Sequence, residues 1–394
     1  LDFAQRVEAC GGAAVIIALV ANTDWYLYNF RRSLMEALRA RGDHVILFSP
    51  PGPYGERLRQ AGFQWEPMPM ERRNLNPLLE VRLVLWLARA FRKHGVQLSH
   101  GFTLKCVVQA GIAARFAGVA ARVHAVAGLG YVFINEGIST RLLRVPLTML
   151  LRLALSGTTA RLVLQNADDV ALFKALHLVH PTRIRLIRGS GVDTERYRPT
   201  RASRAPTAKP WRVALIGRML FDKGVGEFVE AATLLGREHP EVECLLVGDP
   251  DPGNPASIPR ARIEEWETAG LLRWLGHVDD MPALLQTLDC VVLPSYREGL
   301  PKSLIEAAAA GLPLIATDVP GCRDVVLDDS TGLLVPVRDG KALASAIIKL
   351  VRDPELARRL GNAARELAKA KFDERIVIDQ TLAVYDEINR CRSP

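Results

Sequence analysis

The sequence lacks the features of a secreted or zinc-stabilised protein. Its six cysteines include no pair with the C-x-x-C spacing that structural zinc sites use. No short apolar leader with a cleavage site precedes them. Scattered, unpaired cysteines are typical of the reducing cytosol, which is where we expect this chain to work.

Long uncharged stretches are missing as well. The longest, residues 9–23, has 15 residues and includes two glycines and an asparagine. A membrane-spanning helix needs about 18 or more nearly uncharged residues, so no spanning segment is predicted. Zinc-finger spacings and the aromatic signature of RNA-binding sheets are also lacking, which disfavours a nucleic-acid-binding protein.

The composition is that of a globular protein with more than one domain. The chain has 394 residues, of which 49% are hydrophobic and 24% charged. This balance excludes a wholly disordered chain or a collagen-like fibre. At about 100–200 residues per domain, the length predicts two domains, each large enough to bury a core.

The net charge of +8 is concentrated in the first half of the chain. Residues 1–197 hold 25 Lys and Arg against 14 Asp and Glu, whereas residues 198–394 hold 26 against 29. A basic half can attract nucleic acid, anionic lipid or a phosphorylated substrate, and the sign of the charge alone does not separate these three.

Short β-branched runs alternate with longer helical patterns, which indicates parallel βαβ layers. The predicted strands are residues 15–20, 45–49, 97–100, 123–126, 162–165, 184–187, 212–216, 242–247, 271–275, 290–293, 314–316 and 333–335. Residues 198–210, rich in Pro, Arg, Ala and Thr, predict an exposed linker. We therefore expect two facing, doubly wound α/β domains, 1–197 and 211–394, with ligands in a cleft at the carboxyl ends of the strands. The last helical stretch could pack on either domain.

The segment Leu293–Pro313, LPSYREGLPKSLIEAAAAGLP, is the most informative one. An apolar strand runs into a loop with Glu298, Gly299 and Pro301, and an alanine-rich helix follows that carries Glu306. The glycine allows close approach of a ligand, proline suits a helix start, and the free N–H groups of the first turn favour an anion. Two glutamates at this spacing are, without the rest of the string, more often a helix cap and an ordinary solvated acid.

The full string EGLPKSLIEAAAAGLP resembles the E-x7-E signature of retaining glycosyltransferases of family 4. The resemblance extends over nearly the whole chain and implies the GT-B architecture, two Rossmann-like domains that face each other. It implies that Glu298 contacts the hydroxyls of a donor sugar and that Glu306 binds the ribose of a nucleotide sugar. Three further positions of the motif would lie near the sugar and the diphosphate: Gly299, Leu300 and Lys302.

A second segment, IGRMLFDKGVG at residues 216–226, ends a predicted strand at Gly217 and continues with Arg218 and Lys223. Two cations beside a strand-terminal glycine suit a diphosphate and would stabilise a departing nucleoside diphosphate. One Arg and one Lys in a loop are otherwise ordinary solvated charges. The family places an Arg and a Lys here, so the resemblance implies that both are catalytic.

Near the N-terminus, the loop and helix ANTDWYLYNFRRSL departs from the glycine-rich loop common in family 4. It is similar to the branch that builds on polyprenyl-diphosphate-linked sugars. Further along, the run Gly128–Gly130 resembles the branch that transfers N-acetylhexosamines onto undecaprenyl-diphosphate-linked sugars. The alternative is purely structural, with Asp24 as a helix cap and Trp25 and Phe30 in the core. The resemblance implies an acceptor side lined by Asn22, Thr23, Asp24, Tyr28, Asn29 and Arg31.

Three further positions are candidates to lie near the ligands: His124, Gly128 and Ser190. Many family members have a histidine before a glycine after a first-domain strand, but here Ala127 precedes Gly128 and the nearest histidine is His124. A lone histidine on a strand is more often packed in the core than catalytic. The segment GSGVD, residues 189–193, resembles a family segment before the linker and brings Ser190 into consideration for donor binding.

Residues 141–161, RLLRVPLTMLLRLALSGTTAR, interleave four arginines with leucines. Such a basic amphipathic segment can lie on anionic lipid, with the arginines reaching the headgroups. A buried helix with an arginine edge fits the same pattern. The basic first half and the resemblance to lipid-acceptor enzymes favour peripheral contact with the inner face of the plasma membrane.

The sequence thus predicts a retaining, metal-independent glycosyltransferase. It would move a sugar, expected to be an N-acetylhexosamine, from a UDP-sugar to a polyprenyl-diphosphate-linked acceptor in polysaccharide assembly, without a further cofactor. The only D-x-D pattern of interest, Asp249–Asp251, fits a metal motif formally and no more. The alternatives are a UDP-sugar 2-epimerase and a non-catalytic membrane scaffold, and a phosphorylase would need a pyridoxal phosphate lysine in a setting that we do not find.

Overall fold

A computed structural model describes residues 14–72, 76–126, 138–200 and 210–390, the side chains of residues 138–143 excepted. The described residues form two compact units. One consists of the residues up to Ser190 together with those from Ile378 onward, and the other is Gly191–Val377. None of the described helices combines the length and the apolar character needed to cross a bilayer.

The first unit is built on a seven-stranded sheet, ordered β3-β2-β1-β4-β5-β6-β7, in which every neighbouring pair is parallel. Its strands are β1 (Ile16–Val20), β2 (His44–Ser49), β3 (Gln64–Pro67), β4 (Leu98–Phe102), β5 (Ala121–Val126), β6 (Ala160–Leu164) and β7 (Ile184–Leu186). Its helices within the first 190 residues are α1 (Asp24–Phe30), α2 (Arg32–Ala40), α3 (Pro53–Gln60), α4 (Pro77–Lys93), α5 (Leu104–Ala117), α6 (Ile138–Ala154) and α7 (Ala167–Ala175).

The second unit is built on a six-stranded parallel sheet, ordered β10-β9-β8-β11-β12-β13. Its strands are β8 (Trp211–Ile216), β9 (Val242–Val247), β10 (Arg273–Trp274), β11 (Cys290–Leu293), β12 (Leu314–Thr317) and β13 (Gly332–Val335). The helices that follow in chain order are α8 (Val225–Glu238), α9 (Arg260–Thr268), α10 (Met281–Leu285), α11 (Lys302–Ala309), α12 (Cys322–Val325), α13 (Gly340–Arg352), α14 (Pro354–Lys371) and α15 (Glu374–Arg390).

Both sheets have the doubly wound order, in which the third, second, first and fourth strands are consecutive neighbours. Nearly all residues of their central strands are buried, because helices cover both faces of a parallel sheet. This confirms the predicted fold class, and each of the twelve predicted runs overlaps an observed strand. The prediction missed β3, whose sequence QWEP is short, half polar and ends in proline.

The chain passes from the first unit to the second earlier than the predicted boundary after Tyr197. Val192 is fully buried in a core cluster of the second unit. Its N–H donates to the carbonyl of Phe372 at 2.8 Å, and its carbonyl accepts from the N–H of Glu374 at 2.9 Å. These bonds attach the segment to the second unit. Most of the predicted linker, residues 201–209, lies outside the described residues.

The last helix, α15, belongs to the first unit from Ile378 onward, a point on which the composition was undecided. The Tyr385 hydroxyl lies 2.6 Å from Nδ1 of His100 on β4. The Glu387 carboxylate accepts hydrogen bonds from Arg161 at 2.8 Å and from Arg185 at 2.5 Å. Val384 and Ile388 of the helix are buried, so apolar packing and long-range polar contacts together hold it on the first unit.

Candidate active site

The candidate site lies where the strand order of the second sheet reverses. The neighbours β8 and β11 are separated in sequence by β9 and β10, and their chains leave in opposite directions along the sheet. Loops after such strands leave a crevice between them, where doubly wound sheets bind ligands. The loops here are residues 217–224 and 294–301, which carry most of the predicted donor-site residues.

Backbone contacts hold these two loops together. The carbonyl of Asp222 accepts from the N–H of Tyr296 and from the Ser295 hydroxyl, both at 2.9 Å. Gly224 has a φ of +73°, and a Cβ atom at this position would lie 2.1 Å from the carbonyl oxygen of Pro294. Only glycine permits this approach at this backbone angle. The tight packing brings Lys223 of one loop to Glu298 of the other.

Lys223 and Glu298 form an ion pair between the Nζ and Oε1 atoms. The lysine side chain is 21% exposed and the glutamate 10%, so the pair is largely shielded from water. The backbone of the glutamate is fixed as well, because its N–H donates to the carbonyl of Pro320 at 3.2 Å. At Gly321, with a φ of +80°, a Cβ atom would lie 2.6 Å from the carbonyl oxygen of Glu298.

Arg218 is fixed by a partner that the sequence did not reveal. Its Nη1 atom lies 2.6 Å from Oδ2 of Asp251, in the loop after β9. The arginine side chain is half exposed, so it remains accessible to a ligand. Asp251 is itself buried, and its N–H donates to the Ser257 hydroxyl at 3.0 Å. The formal D-x-D pattern thus contains the carboxylate that orients Arg218.

Glu306, the second glutamate of the motif, lies in the middle of α11 and is largely buried. Burial raises the pKa of its carboxyl group, whereas the Lys302 ammonium and the Tyr197 hydroxyl lower it. The hydroxyl donates to Oε1 at 3.0 Å, and the ammonium lies 3.8 Å from the same oxygen. Lys302 also donates to the carbonyl of Gly191 at 2.8 Å.

The start of α11 presents backbone groups at the same edge of the sheet. Pro301 is the N-cap residue, and no side chain forms a hydrogen bond to cap the helix. Gly299 is buried, and Leu300 is packed against the core. Gly217 follows β8 directly, and its N–H donates to the carbonyl of Val247 at 2.9 Å. Ser190 is half-buried at the end of the first unit's main segment, apart in sequence from these loops.

The candidate acceptor residues follow β1 in the first unit, and several have structural partners. Thr23 is the N-cap of α1 and accepts from the Tyr26 N–H at 3.1 Å. Asp24 instead binds the start of α3, where it accepts from the N–H groups of Tyr54 at 2.7 Å and Gly55 at 2.8 Å. Both roles are compatible with the structural alternative to an acceptor site.

The remaining acceptor candidates lie on or just after α1. The Asn29 amide donates to the carbonyl of Trp25 at 3.0 Å, and the Tyr28 hydroxyl accepts from Arg32 at 3.4 Å. Asn22 is half-buried in the loop before the helix. Trp25 is 40% exposed, which differs from the expectation that it is a core residue. An amphipathic pattern over so short a helix does not fix which side packs inward.

Arg31 is the most unusual of these residues because it is buried without an acidic partner among the described side chains. Its guanidinium lies 4.3 Å from the centre of the Phe102 ring, and Nη2 donates to the Tyr26 hydroxyl at 2.8 Å. The Nε atom has no hydrogen-bond partner within the described residues. Stacking on an aromatic face compensates part of the lost hydration.

His124 is fully buried on β5. Desolvation, assisted by the nearby charge of Arg122, lowers the pKa of its imidazole to about 3. Neither ring nitrogen has a hydrogen-bond partner among the described residues. The imidazole is therefore neutral at physiological pH and is placed as a packed side chain. The other candidate of this region, Gly128, lies outside the described residues.

Three residues of the second unit that contact the predicted site were missed. Asp251 follows a strand in a polar loop, GDPDPG, and this position was a usable signal. Tyr296 lies inside the motif loop, and its hydroxyl donates to Oε1 of Glu227 at 2.6 Å. No local sequence pattern indicated Tyr197, because it is 109 residues from Glu306 in sequence. Among the described residues, no group of His, Cys, Asp and Glu side chains could hold a metal ion.

Comparison with known proteins identifies both units. Residues 29–200 match the family described as "Glycosyl transferase 4-like domain", and residues 198–367 match "Glycosyl transferases group 1". A solved structure with a similar fold is that of Anabaena Alr3699/HepE in complex with UDP. It superposes with a TM-score of 0.73 at 18% identity and covers 95% of this chain and 100% of the other.

Two curated relatives act on lipid-linked sugars. The N,N'-diacetylbacillosaminyl-diphospho-undecaprenol α-1,3-N-acetylgalactosaminyltransferase of Campylobacter jejuni is 27% identical over 94% of this chain and 98% of its own length. The UDP-Gal:α-D-GlcNAc-diphosphoundecaprenol α-1,3-galactosyltransferase of Escherichia coli is 27% identical over 72% of this chain and 74% of its own length.

Two parallel Rossmann-like sheets have the GT-B fold, and the family matches of both halves of the chain identify a glycosyltransferase. Its two halves match consecutive transferase domains over most of the chain. Residues 29–200 thus correspond to a glycosyl transferase 4-like domain and residues 198–367 to a domain of the glycosyl transferases group 1.

Proposed function

We propose that this protein is a metal-independent, anomer-retaining glycosyltransferase that moves an N-acetylhexosamine from a UDP-sugar to a polyprenyl-diphosphate-linked acceptor. The observation that carries the proposal is the convergence of Lys223, Glu298 and Arg218 on loops at the switch point of the second sheet. We assign the donor to the second unit and the acceptor to the first.

The two cations have the chemistry that a departing nucleoside diphosphate requires. When the bond between the anomeric carbon and the diphosphate breaks, negative charge builds up on the leaving oxygens. A guanidinium and an ammonium that are already held in place stabilise this charge without reorganising during the reaction. Asp251 holds the guanidinium and Glu298 holds the ammonium. These fixed cations are our reason for proposing a reaction that needs no metal ion and no further cofactor.

The two glutamates suit the hydroxyl-bearing parts of the donor. A carboxylate accepts hydrogen bonds from sugar or ribose hydroxyls, and each such bond to a charged group contributes about 1.5–3 kcal/mol. Glu298 adjoins Lys223, which we assign to the diphosphate, so it suits the hydroxyls of the transferred sugar. Glu306 lies eight positions further along the motif and suits the ribose.

The choice of donor and acceptor rests on the relatives. Both have names that specify a diphosphoundecaprenol acceptor, and one name specifies UDP-Gal as the donor. The Campylobacter relative, which aligns over nearly its whole length, transfers N-acetylgalactosamine. The basic character of residues 1–197 is complementary to the diphosphate of such an acceptor.

The proposal is tested by measuring the release of UDP and GDP from a panel of nucleotide sugars, with and without undecaprenyl-diphosphate-linked acceptors and with EDTA present. We expect acceptor-dependent release of UDP that survives EDTA, and retention of the anomeric configuration in the product by NMR. Arg218→Ala should lose this release, whereas Arg260→Ala, which removes an exposed arginine from α9, should keep it.

Each part of the proposal has its own contrary outcome. Loss of turnover in EDTA that returns with added Mg²⁺ or Mn²⁺ would overturn metal independence. A product of inverted configuration would overturn retention. No release from any donor, with nucleotide binding still detectable, would favour the non-catalytic scaffold over the transferase.

We also propose that the first unit contacts an anionic membrane through α6. Three of its apolar side chains, Val145, Met149 and Leu153, are spaced four residues apart, so they share one face. Val145 is 61% exposed and Met149 is 66% exposed, which is unusual for large apolar side chains. Arg144 and Arg152 adjoin this apolar face of α6, and arginines beside such a face suit anionic headgroups.

Part of the predicted lipid-binding segment has a different role. The helix ends at Ala154, and Arg161 is a buried residue of β6 that pairs with Glu387 at 2.8 Å. It is therefore not available to lipid. A second exposed apolar group occurs on α4, where Leu78, Val81 and Leu85 lie beside exposed arginines. Helix α5 packs against both α4 and α6, so the two apolar groups belong to one helical layer.

The double variant Val145→Ser/Met149→Ser should bind vesicles of phosphatidylglycerol at least about tenfold more weakly than the wild type, since two apolar side chains no longer enter the bilayer interface. The measurement is cosedimentation at low salt, with phosphatidylcholine vesicles for comparison. Leu327→Ser, which removes an exposed leucine from the second unit, should bind like the wild type. Equal sedimentation of the double variant and the wild type would contradict the assignment.

A further inference from the structure

Tyr197 reaches the donor site from a part of the chain far from the motif. It lies in the segment Gly191–Tyr197, at the start of the second unit. The side chain is 8% exposed and belongs to the same core cluster as Ile305 of α11. Its hydroxyl donates to Oε1 of Glu306 at 3.0 Å. The ring is thus fixed by packing while the hydroxyl contacts a predicted ligand-binding carboxylate.

The two oxygens of Glu306 differ in their surroundings. Oε1 accepts from Tyr197 and lies 3.8 Å from the Lys302 ammonium. Oε2 has no hydrogen-bond partner among the described residues. A carboxylate held through one oxygen has lost rotational freedom, so its other oxygen can accept a ligand hydroxyl without a further ordering cost. The arrangement therefore leaves Oε2 of Glu306 available to accept a hydrogen bond from a ligand.

The lysine that could neutralise this carboxylate is partly engaged elsewhere. The Lys302 ammonium lies 2.8 Å from the carbonyl of Gly191, closer than to Glu306. Gly191 and Tyr197 are in the same segment, so one short stretch of chain directs both neighbours of Glu306. Burial disfavours the charged form of this carboxyl group, whereas the tyrosine hydrogen bond and the ammonium favour it.

We propose that Tyr197 is a positioning residue for ribose recognition: it holds Oε1 of Glu306, so that Oε2 accepts a hydrogen bond from a ribose hydroxyl of the nucleotide donor. The inference rests on the proposed function, because it takes Glu306 as the ribose ligand. It adds a residue outside the motif and assigns a different role to each carboxylate oxygen.

The experiment compares the binding of UDP, 2′-deoxy-UDP and 3′-deoxy-UDP by isothermal titration calorimetry. Removal of the recognised hydroxyl should weaken binding to the wild-type protein about tenfold, the effect of one hydrogen bond to a charged group. In the Tyr197→Phe variant, the ring still fills its place in the core. We expect UDP binding by this variant to weaken about tenfold. Its preference for UDP over the deoxy analogue should nearly vanish.

Two further variants separate positioning from structural support. In the Glu306→Ala background, Tyr197→Phe should cause no further loss of UDP affinity, because the tyrosine acts through the carboxylate. Tyr385→Phe removes another buried tyrosine hydroxyl, in the first unit, and should leave the preference between the nucleotides unchanged. Circular dichroism at the temperature of titration verifies that each variant is folded.

The outcomes distinguish the inference from the proposal on which it rests. If Glu306→Ala keeps the wild-type preference for UDP, the assignment of Glu306 to the ribose fails. If Glu306→Ala loses that preference and Tyr197→Phe keeps it, only the role of Tyr197 is overturned. A Tyr197→Phe protein that does not fold, or an additive effect of the two substitutions, would mark Tyr197 as structural support and overturn the positioning role as well.

Discussion

Replacing Lys223 by alanine should lower kcat by a factor of about 10² to 10³, the loss expected when one preorganised group that stabilises transition-state charge is removed. The same change should lower the free energy of unfolding by about 3 kcal/mol, because it leaves the largely buried Glu298 carboxylate without its counter-charge. Initial rates of UDP release and urea unfolding measure the two effects separately.

The double variant Lys223→Met/Glu298→Gln tests whether the two effects have different causes. It removes both charges, and replacement of a buried ion pair by neutral groups is often neutral or stabilising, so most of the lost stability should return. Turnover should not exceed that of the single variant, since the leaving diphosphate still lacks its cation and the proposed sugar-binding carboxylate is also gone.

An exposed ion pair provides the matched control. The side chains of Lys349 and Asp329 are more than half exposed, and Lys349→Ala should change stability by less than about 1 kcal/mol. Recovery of turnover together with stability in the double variant would show that Lys223 is a structural residue and not a catalytic one.

Replacing Gly224 by alanine should lower stability by about 3 kcal/mol and reduce turnover as well. An alanine with a φ of +73° is strained by about 1–2 kcal/mol, and its Cβ atom would lie 2.1 Å from the carbonyl oxygen of Pro294, which forces the two loops apart. Because Lys223 precedes this glycine, the separation would disturb its contact with Glu298. Thermal unfolding and UDP release are the measurements.

Gly270 provides the control for backbone strain alone. It has a φ of +69°, and a Cβ atom there would meet nothing within 4 Å. Gly270→Ala should therefore cost only the about 1–2 kcal/mol of a left-handed alanine and keep full turnover. If the two variants lose the same stability and both retain turnover, the close contact of Gly224 with Pro294 does not hold the site together.

The strands were predictable because each is a local pattern. A buried parallel strand such as Cys290–Leu293 is a continuous apolar run, and its bounds were predicted to the residue. The strand Gln64–Pro67 has no such run, and its pairing with β2 depends on a neighbour that the local sequence does not encode. The break between α1 and α2 at Arg31, with a φ of −127°, was missed for a similar reason.

The candidate donor-site residues come from a motif, whereas their structural partners could not be predicted from the sequence. Glu298 and Glu306 belong to one loop and helix, so their spacing is preserved in the sequence. Lys223 is 75 residues from Glu298, and Arg218 is 33 residues from Asp251. Such contacts depend on the strand order of the sheet, and no periodic pattern in the sequence indicates them. The acceptor residues had no comparable motif, and several of them have structural partners.

By itself, the sequence determined two parallel α/β units and the position of their loops, because these depend on periodicity and on short-range patterns. The residues expected to bind a nucleotide sugar came from the resemblance of a local motif. Tertiary structure decided that Asp251 holds Arg218, that Tyr197 holds Glu306 and that the end of the chain packs on the first unit. The physical reason is that the sheet brings β8 beside β11 across two intervening strands, and hydrogen bonds and ion pairs between distant segments form only once that order is established.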